Sequence, residues 1–110
     1  MKIKKGVILA GLDIKMRPAL IIADRIWKGY NQELVVTSGL EGTHSARSLH
    51  YYGLALDFRT RYFSEQEAYK VREELENELE VYEGAYNSYD VVREATHIHI
   101  ECDKNLKYVL

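Results

Sequence analysis

Apolar and polar residues recur along the chain with two periods, one near 3.6 and one of 2, and each predicts a different kind of element. Across residues 15–30, Leu20, Ile21, Ile22, Ile26 and Trp27 supply an apolar face, with Pro18 in the first turn and Gly29 near the end. That pattern predicts an amphipathic helix that serves as scaffold. Residues 33–37 (ELVVT) are short and β-branched and are followed by Ser38-Gly39, which predicts a buried strand leading into a glycine-containing loop. Residues 51–59 predict the next strand, with Leu54, Leu56 and Phe58 on one side and Ala55 and Asp57 on the other. Ser64-Glu65-Gln66-Glu67 matches the capping box, and Ala68, Val71, Leu75 and Leu79 then recur at spacings of three or four. A helix over 65–80 follows, with one buried stripe and a solvated acidic outer face. Beyond the turn signals Gly84 and Asn87-Ser88, residues 89–93 and 96–102 read as two strands separated by a joint at Glu94-Ala95. The tail, 103–110, shows no pattern beyond its three final apolar residues.

At 110 residues the chain makes one domain, 1–110, with a single core. Mixed helices and strands, with the strands gathered in the second half, predict an α+β fold: a small, mainly antiparallel sheet with helices on one face. A site on such a sheet belongs on the face the helices leave open. A composition of 46% hydrophobic and 29% charged residues is that of an ordinary globular protein, and a formal charge of -2 argues against a general nucleic-acid binder. No segment approaches the ~20 apolar residues of a membrane span. The start, MKIKKGVILAGLD, faintly imitates a secretory signal, but Asp13 interrupts its apolar run. It reads as mature protein, synthesised in the cytoplasm without a signal peptide. The single cysteine, Cys102, makes no internal disulfide and points to a reducing compartment of synthesis. A monomer is expected.

The candidate chemistry sits in two short segments. The stretch TSGLEGTHSARSLHYYGLALD carries His44, His50 and Asp57 among glycines, and HIHIE carries His97 and His99. On a strand, His97, His99 and Glu101 share one face while Ile98, Ile100 and Cys102 share the other. A lone loop histidine such as His44 is ordinarily a surface residue, and Asp57 alone could cap a turn. What weighs against that reading is that all four histidines fall in these two segments, each with an acid nearby. Two histidines and one carboxylate leave an open position for water on zinc. The same set occurs in non-haem iron oxygenases. Those usually place the first histidine and the acid two apart, so the seven-residue separation of His50 and Asp57 counts against iron.

SLHYYGLALD matches the pattern S-x-H-x-x-G-x-A-x-D at every fixed position: Ser48, His50, Gly53, Ala55 and Asp57. In this it resembles the zinc peptidases grouped with D-Ala-D-Ala carboxypeptidases, vancomycin-resistance dipeptidases and phage endolysin peptidases. With HIH later, it also resembles the hedgehog signalling domain, which shares that fold and zinc site without established peptidase activity. The layout VVTSG, SLHYYGLALDFRTR, DVVRE and HIHIE is similar to small phage-encoded members, and the resemblance covers residues 33–103.

The resemblance implies a hedgehog/DD-peptidase-like fold and one Zn2+, with His50 and Asp57 as the first two ligands. For the third ligand the hedgehog-like alignment selects His99, and the E-x-x-H pattern of the carboxypeptidases (Glu94-Ala95-Thr96-His97) selects His97. The HIH context favours His99. Glu94 then matches the catalytic acid, although its spacing from His99 fits neither pattern cleanly. His44 matches a histidine near the hedgehog zinc, and His97 joins it as a candidate for oxyanion stabilisation. Many of the peptidases carry an arginine after the SG of the strand, where this chain has Leu40-Glu41, so His44, His97 or Arg47 would have to take over transition-state stabilisation. The implied function is hydrolysis of peptidoglycan stem peptides, either of the D-Ala-D-Ala carboxypeptidase or the L-Ala-D-Glu endopeptidase type. The alternative is an inactive zinc-stabilised binding module, in which no bond is cut.

Overall fold

The computed structural model of the chain describes residues 1–41, 48–84 and 88–102. His44 and Arg47, the Asn87 turn signal and the tail 103–110 lie outside them. The fold is α+β. Strands β1 (Lys2–Ile3), β2 (Val35–Ser38), β3 (Ala55–Arg59), β4 (Tyr89–Arg93) and β5 (His97–Cys102) form one sheet in the order β1-β2-β3-β5-β4. β1 runs parallel to β2 and every other pair is antiparallel.

Helix α1 (Arg17–Gly29) has proline in its first turn and follows a 3-10 turn, Ile14–Met16. Its buried stripe is Ala19, Ile22, Ala23, Ile26 and Trp27, the i, i+3, i+4, i+7, i+8 series of a helix face. Ile21, expected on that face, is off the stripe and 68% exposed. Helix α2 (Glu65–Glu83) runs one turn beyond the expected end and buries Ala68, Val71, Leu75 and Leu79. Its capping box is formed: Ser64 Oγ accepts the Glu67 N–H at 3.1 Å, and Glu67 Oε1 accepts the Ser64 N–H at 3.0 Å. The two helices are tied by the Arg25–Glu78 ion pair and by Tyr30, whose hydroxyl donates to Glu74 at 2.8 Å.

Both helices pack on one side of the sheet, against Val36, Leu56, Phe58, Val91, Ile98 and Ile100. Trp27 is fully buried at the centre, with its ring centroid 5.8 Å from that of Phe58 in an edge-on arrangement. Its indole N–H donates to the Arg59 carbonyl at 3.1 Å, so the polar end of the largest core side chain is satisfied.

Two sequence expectations are corrected. The strand expected over 51–59 begins only at Ala55, because Leu49–Tyr52 winds into a 3-10 turn that places His50 in a buried position. The amino-terminal residues, given no role above, supply β1, whose Lys2 N–H donates to the Leu34 carbonyl at 2.7 Å. No helix among the described residues is long and apolar enough to cross a membrane.

Candidate metal centre

The fixed positions of the SLHYYGLALD segment each have a structural task. Ser48 opens the 3-10 turn, its hydroxyl accepting the His50 N–H at 3.2 Å. Gly53 closes it at φ +69, a left-handed conformation that favours glycine. A side chain there would also meet the Gly11 carbonyl oxygen at 2.4 Å. Ala55 is fully buried on the same side of β3 as Asp57. The turn thus delivers His50 over a strand position that Asp57 occupies.

The His50 side chain is 4% exposed as a residue and its Nδ1 lies 2.9 Å from the Gly39 carbonyl oxygen. A carbonyl only accepts, so Nδ1 carries a proton and Nε2 is the nitrogen turned toward the group. Nε2 sits 3.7 Å from Asp57 Oδ1. Gly39 is itself held by Glu41, whose Oε1 accepts the N–H groups of Gly39 and Ile8, each at 2.9 Å. Burial pushes the Glu41 carboxyl up, and the N–H donors of Ile8, Glu41 and Gly39 outweigh it, so the group lies below its ordinary range. Where the resembling peptidases carry an arginine, this chain has an acid that braces the loop under His50.

His99 reaches the group from β5, opposite Asp57 in the β3–β5 register. Its Nδ1 lies 2.9 Å from Asp57 Oδ1 and its Nε2 2.8 Å from Glu101 Oε1. The hydrogen bond to Asp57, and after it that to Glu101, raises the His99 pKa to about 9 against the opposing effect of burial. His97 Nε2 is 3.9 Å from the same Asp57 oxygen, and its Nδ1 is 3.3 Å from the Thr96 hydroxyl. Three imidazoles therefore converge on one carboxylate oxygen.

Ligand atoms of His50, Asp57 and His99 all lie within 4.8 Å of one another. Tetrahedral bonds of ~2.0–2.1 Å place ligand atoms about 3.3 Å apart. The 2.9 and 3.7 Å separations to Asp57 straddle that value, so the group can hold a metal ion with small side-chain adjustments. Glu101 and the Gly39 carbonyl would then be the outer partners that orient the two imidazoles. His97 stands at the rim and does not join the compact set.

Glu94 is not brought to this group. It is exposed at the β4–β5 hairpin turn, where its N–H donates to the His97 carbonyl at 2.8 Å, and it lines a cleft with Ser64, Glu65 and Ala68. Its side chain makes no hydrogen bond or ion pair with a described residue. The pairing Val92↔His99 does put Val92 on the histidine face, and Glu94 is the next residue of that parity. The sequence reading gave no role to Glu101, Gly39 or Glu41. Only the first left a readable signal, as the third member of the H-x-H-x-E alternation. No family model matches the chain, and neither the curated proteins nor the solved structures contain a significant match to it, so the family resemblance rests on the motif residues alone.

Proposed function

We propose that the chain is a zinc-dependent peptidase that hydrolyses peptidoglycan stem peptides as a monomer, acting on the bacterial cell wall, and that it is encoded by a phage or prophage. The observation that supports this reading is the convergence of His50, Asp57 and His99 from a turn and two strands, with the signature residues arranged to build it. Zinc suits two neutral imidazoles and a carboxylate, and when bound it supplies Lewis acidity that polarises a carbonyl and acidifies water. The residues then divide the remaining work. His50, with its proton fixed on Nδ1, and Asp57 and His99 hold the ion. Glu94, in the hairpin turn before the histidine strand, takes a proton from water and returns it to the leaving amine, which requires that turn to bring its carboxylate within hydrogen-bond reach. His97, at one edge of the group, donates to the developing oxyanion, and His44 is assigned the same task by the resemblance.

Purified peptidoglycan should release stem peptides in the presence of the zinc-loaded protein, and a His50→Ala variant should neither bind zinc nor digest. Equal zinc content in both would sink the ligand assignment. The second reading, a zinc-stabilised module that cuts nothing, is favoured by one observation: the exposed, unengaged position of Glu94. It takes over if the protein holds zinc and releases nothing from any peptidoglycan type.

A further inference from the structure

A second polar cleft of ≈ 280 Å³ opens on the same sheet face, with Asp57 and His97 at one end of it. Its other walls carry Lys4, Arg59 and Arg61, together with Thr37, whose hydroxyl donates to the Asp57 carbonyl at 3.4 Å, and Ser38. The fold places these groups deliberately close. Lys4 follows β1 and donates its N–H to the Val36 carbonyl at 3.0 Å, and Arg59 opposes His97 in the β3–β5 register. The bulge in the β2–β3 pairing sets Ser38 opposite Asp57.

The charges in this cleft are unbalanced. Lys4, Arg59 and Arg61 contribute +3 and Asp57 contributes -1, leaving +2 on a chain whose formal charge is -2. Among the other described arginines, Arg25 pairs with Glu78, Arg72 with Glu76 and Arg93 with Glu65, and Arg17, on the first turn of α1, forms no ion pair with a described residue. The side chains of Lys4, Arg59 and Arg61 make no ion pair or hydrogen bond with a described residue. Glu65 and Glu94 border the neighbouring cleft that Arg61 also lines, without pairing with it. Unpaired guanidinium groups suit a small planar anion, which arginine can bind through two parallel hydrogen bonds.

We infer that the cleft formed by Lys4, Arg59 and Arg61 is an anion subsite that takes a carboxylate of the ligand whose reacting group lies at His50, Asp57 and His99. The ownership of that carboxylate by a peptide rests on the proposed peptidase reading; the binding of an anion does not. A carboxylate seated there lies next to the Asp57 end of the cleft, so the subsite selects peptides with an acidic group adjoining the bond that is cut.

The test is a titration of the metal-free protein with N-acetylalanine, its uncharged amide and inorganic phosphate, followed by two-dimensional NMR of the backbone amides. The acid should shift the amides of Lys4, Ser38, Arg59 and Arg61, and the amide should not. An Arg59→Gln/Arg61→Gln double variant should bind the acid about ten-fold more weakly or worse, the scale of one lost charge-assisted hydrogen bond. Arg59→Lys/Arg61→Lys should recover part of the loss, and zinc content should be unchanged in both variants, which shows that they fold. Equal shifts with acid and amide, undiminished binding by the double variant, or binding of phosphate without the carboxylate would each overturn the inference. If the acid binds as expected while no peptidoglycan is digested, the peptidase reading falls and the subsite stands. If digestion proceeds and no anion binds, the subsite alone falls.

Discussion

The two faces of β3 and β5 have opposite fates although they are built from the same eleven residues of backbone. On the helix side Leu56, Phe58, Ile98, Ile100 and Cys102 are fully buried. On the other side Asp57, Arg59, His97, His99 and Glu101 are half-buried, and Asp57, His99 and Glu101 are hydrogen-bonded to one another while Arg59 forms no ion pair with a described residue. A period of two lets one strand hold the core with every second residue and offer chemistry with the rest. The core face is filled by apolar groups, and the open face carries polar and charged groups beyond the buried Ala55.

Neighbouring positions of β3 give the sharpest way to break this division. Phe58→Ala should cost ~3–5 kcal/mol, the usual range for a large aromatic removed from a core. Asp57→Asn should change stability far less and yet abolish zinc binding. Urea unfolding of both metal-free variants, with zinc content measured on each, checks the pair. If Asp57→Asn unfolds as readily as Phe58→Ala, the open face is part of the core and the division is wrong.

On the open face itself, the expected effects grade from ligand to rim. His99→Ala should lose zinc, whereas His97→Ala should keep it and lose activity; the reverse result would hand the ligand role to His97. Glu94→Gln should leave folding and zinc content nearly unchanged and lower peptidoglycan hydrolysis by ~10²-fold or more, the scale of a lost general base. Digestion at the undiminished rate removes Glu94 from the mechanism. Next in size is Glu101, which touches the site only through His99. Glu101→Ala should weaken zinc binding by about 10–100-fold, as loss of an outer partner of a ligating histidine usually does. Competition with a chelator of known affinity reads this, and an unchanged affinity means that Glu101 does not orient the ring.

What the sequence made legible follows the same divide. The stripe of α2 and its capping box are local, so spacing alone places Ala68, Val71, Leu75, Leu79 and Ser64. Alternation likewise sorts Asp57 with Ala55 and His99 with Glu101. Which strands lie side by side is not local, and the 42-residue separation bridged by Asp57 and His99 comes from β3 pairing with β5. Strand β1 was hidden because two exposed residues, Lys2 and Ile3, carry no periodicity and are fixed only by pairing with Val35 and Val36. Ile21 was misassigned because a run of three apolar residues does not say which of them faces inward. Glu41 was read as the absence of an arginine, since a carboxylate that accepts backbone N–H groups from Ile8 and Gly39 has no side-chain pattern to announce it.

The smallest effect separates the two faces by pH. The core face has no group to titrate between pH 6 and 9, whereas His99 lies between Asp57 and Glu101 and has its pKa raised from 6.5 to about 9. A folded-state pKa above the unfolded one means that the folded protein holds the proton more tightly. The stabilisation is therefore fully present below pH 6.5 and is lost as the pH rises through about 9. Zinc competes with that proton for Nδ1, so its affinity should rise over the same interval while the stability of the metal-free protein falls. Thermal unfolding of the metal-free protein from pH 6 to 10 should show a melting temperature that declines between about 6.5 and 9, and Glu101→Gln should flatten the decline by removing one of the two carboxylates. A metal-free protein whose melting temperature ignores pH across this interval would mean that His99 is not held as an imidazolium between the two acids.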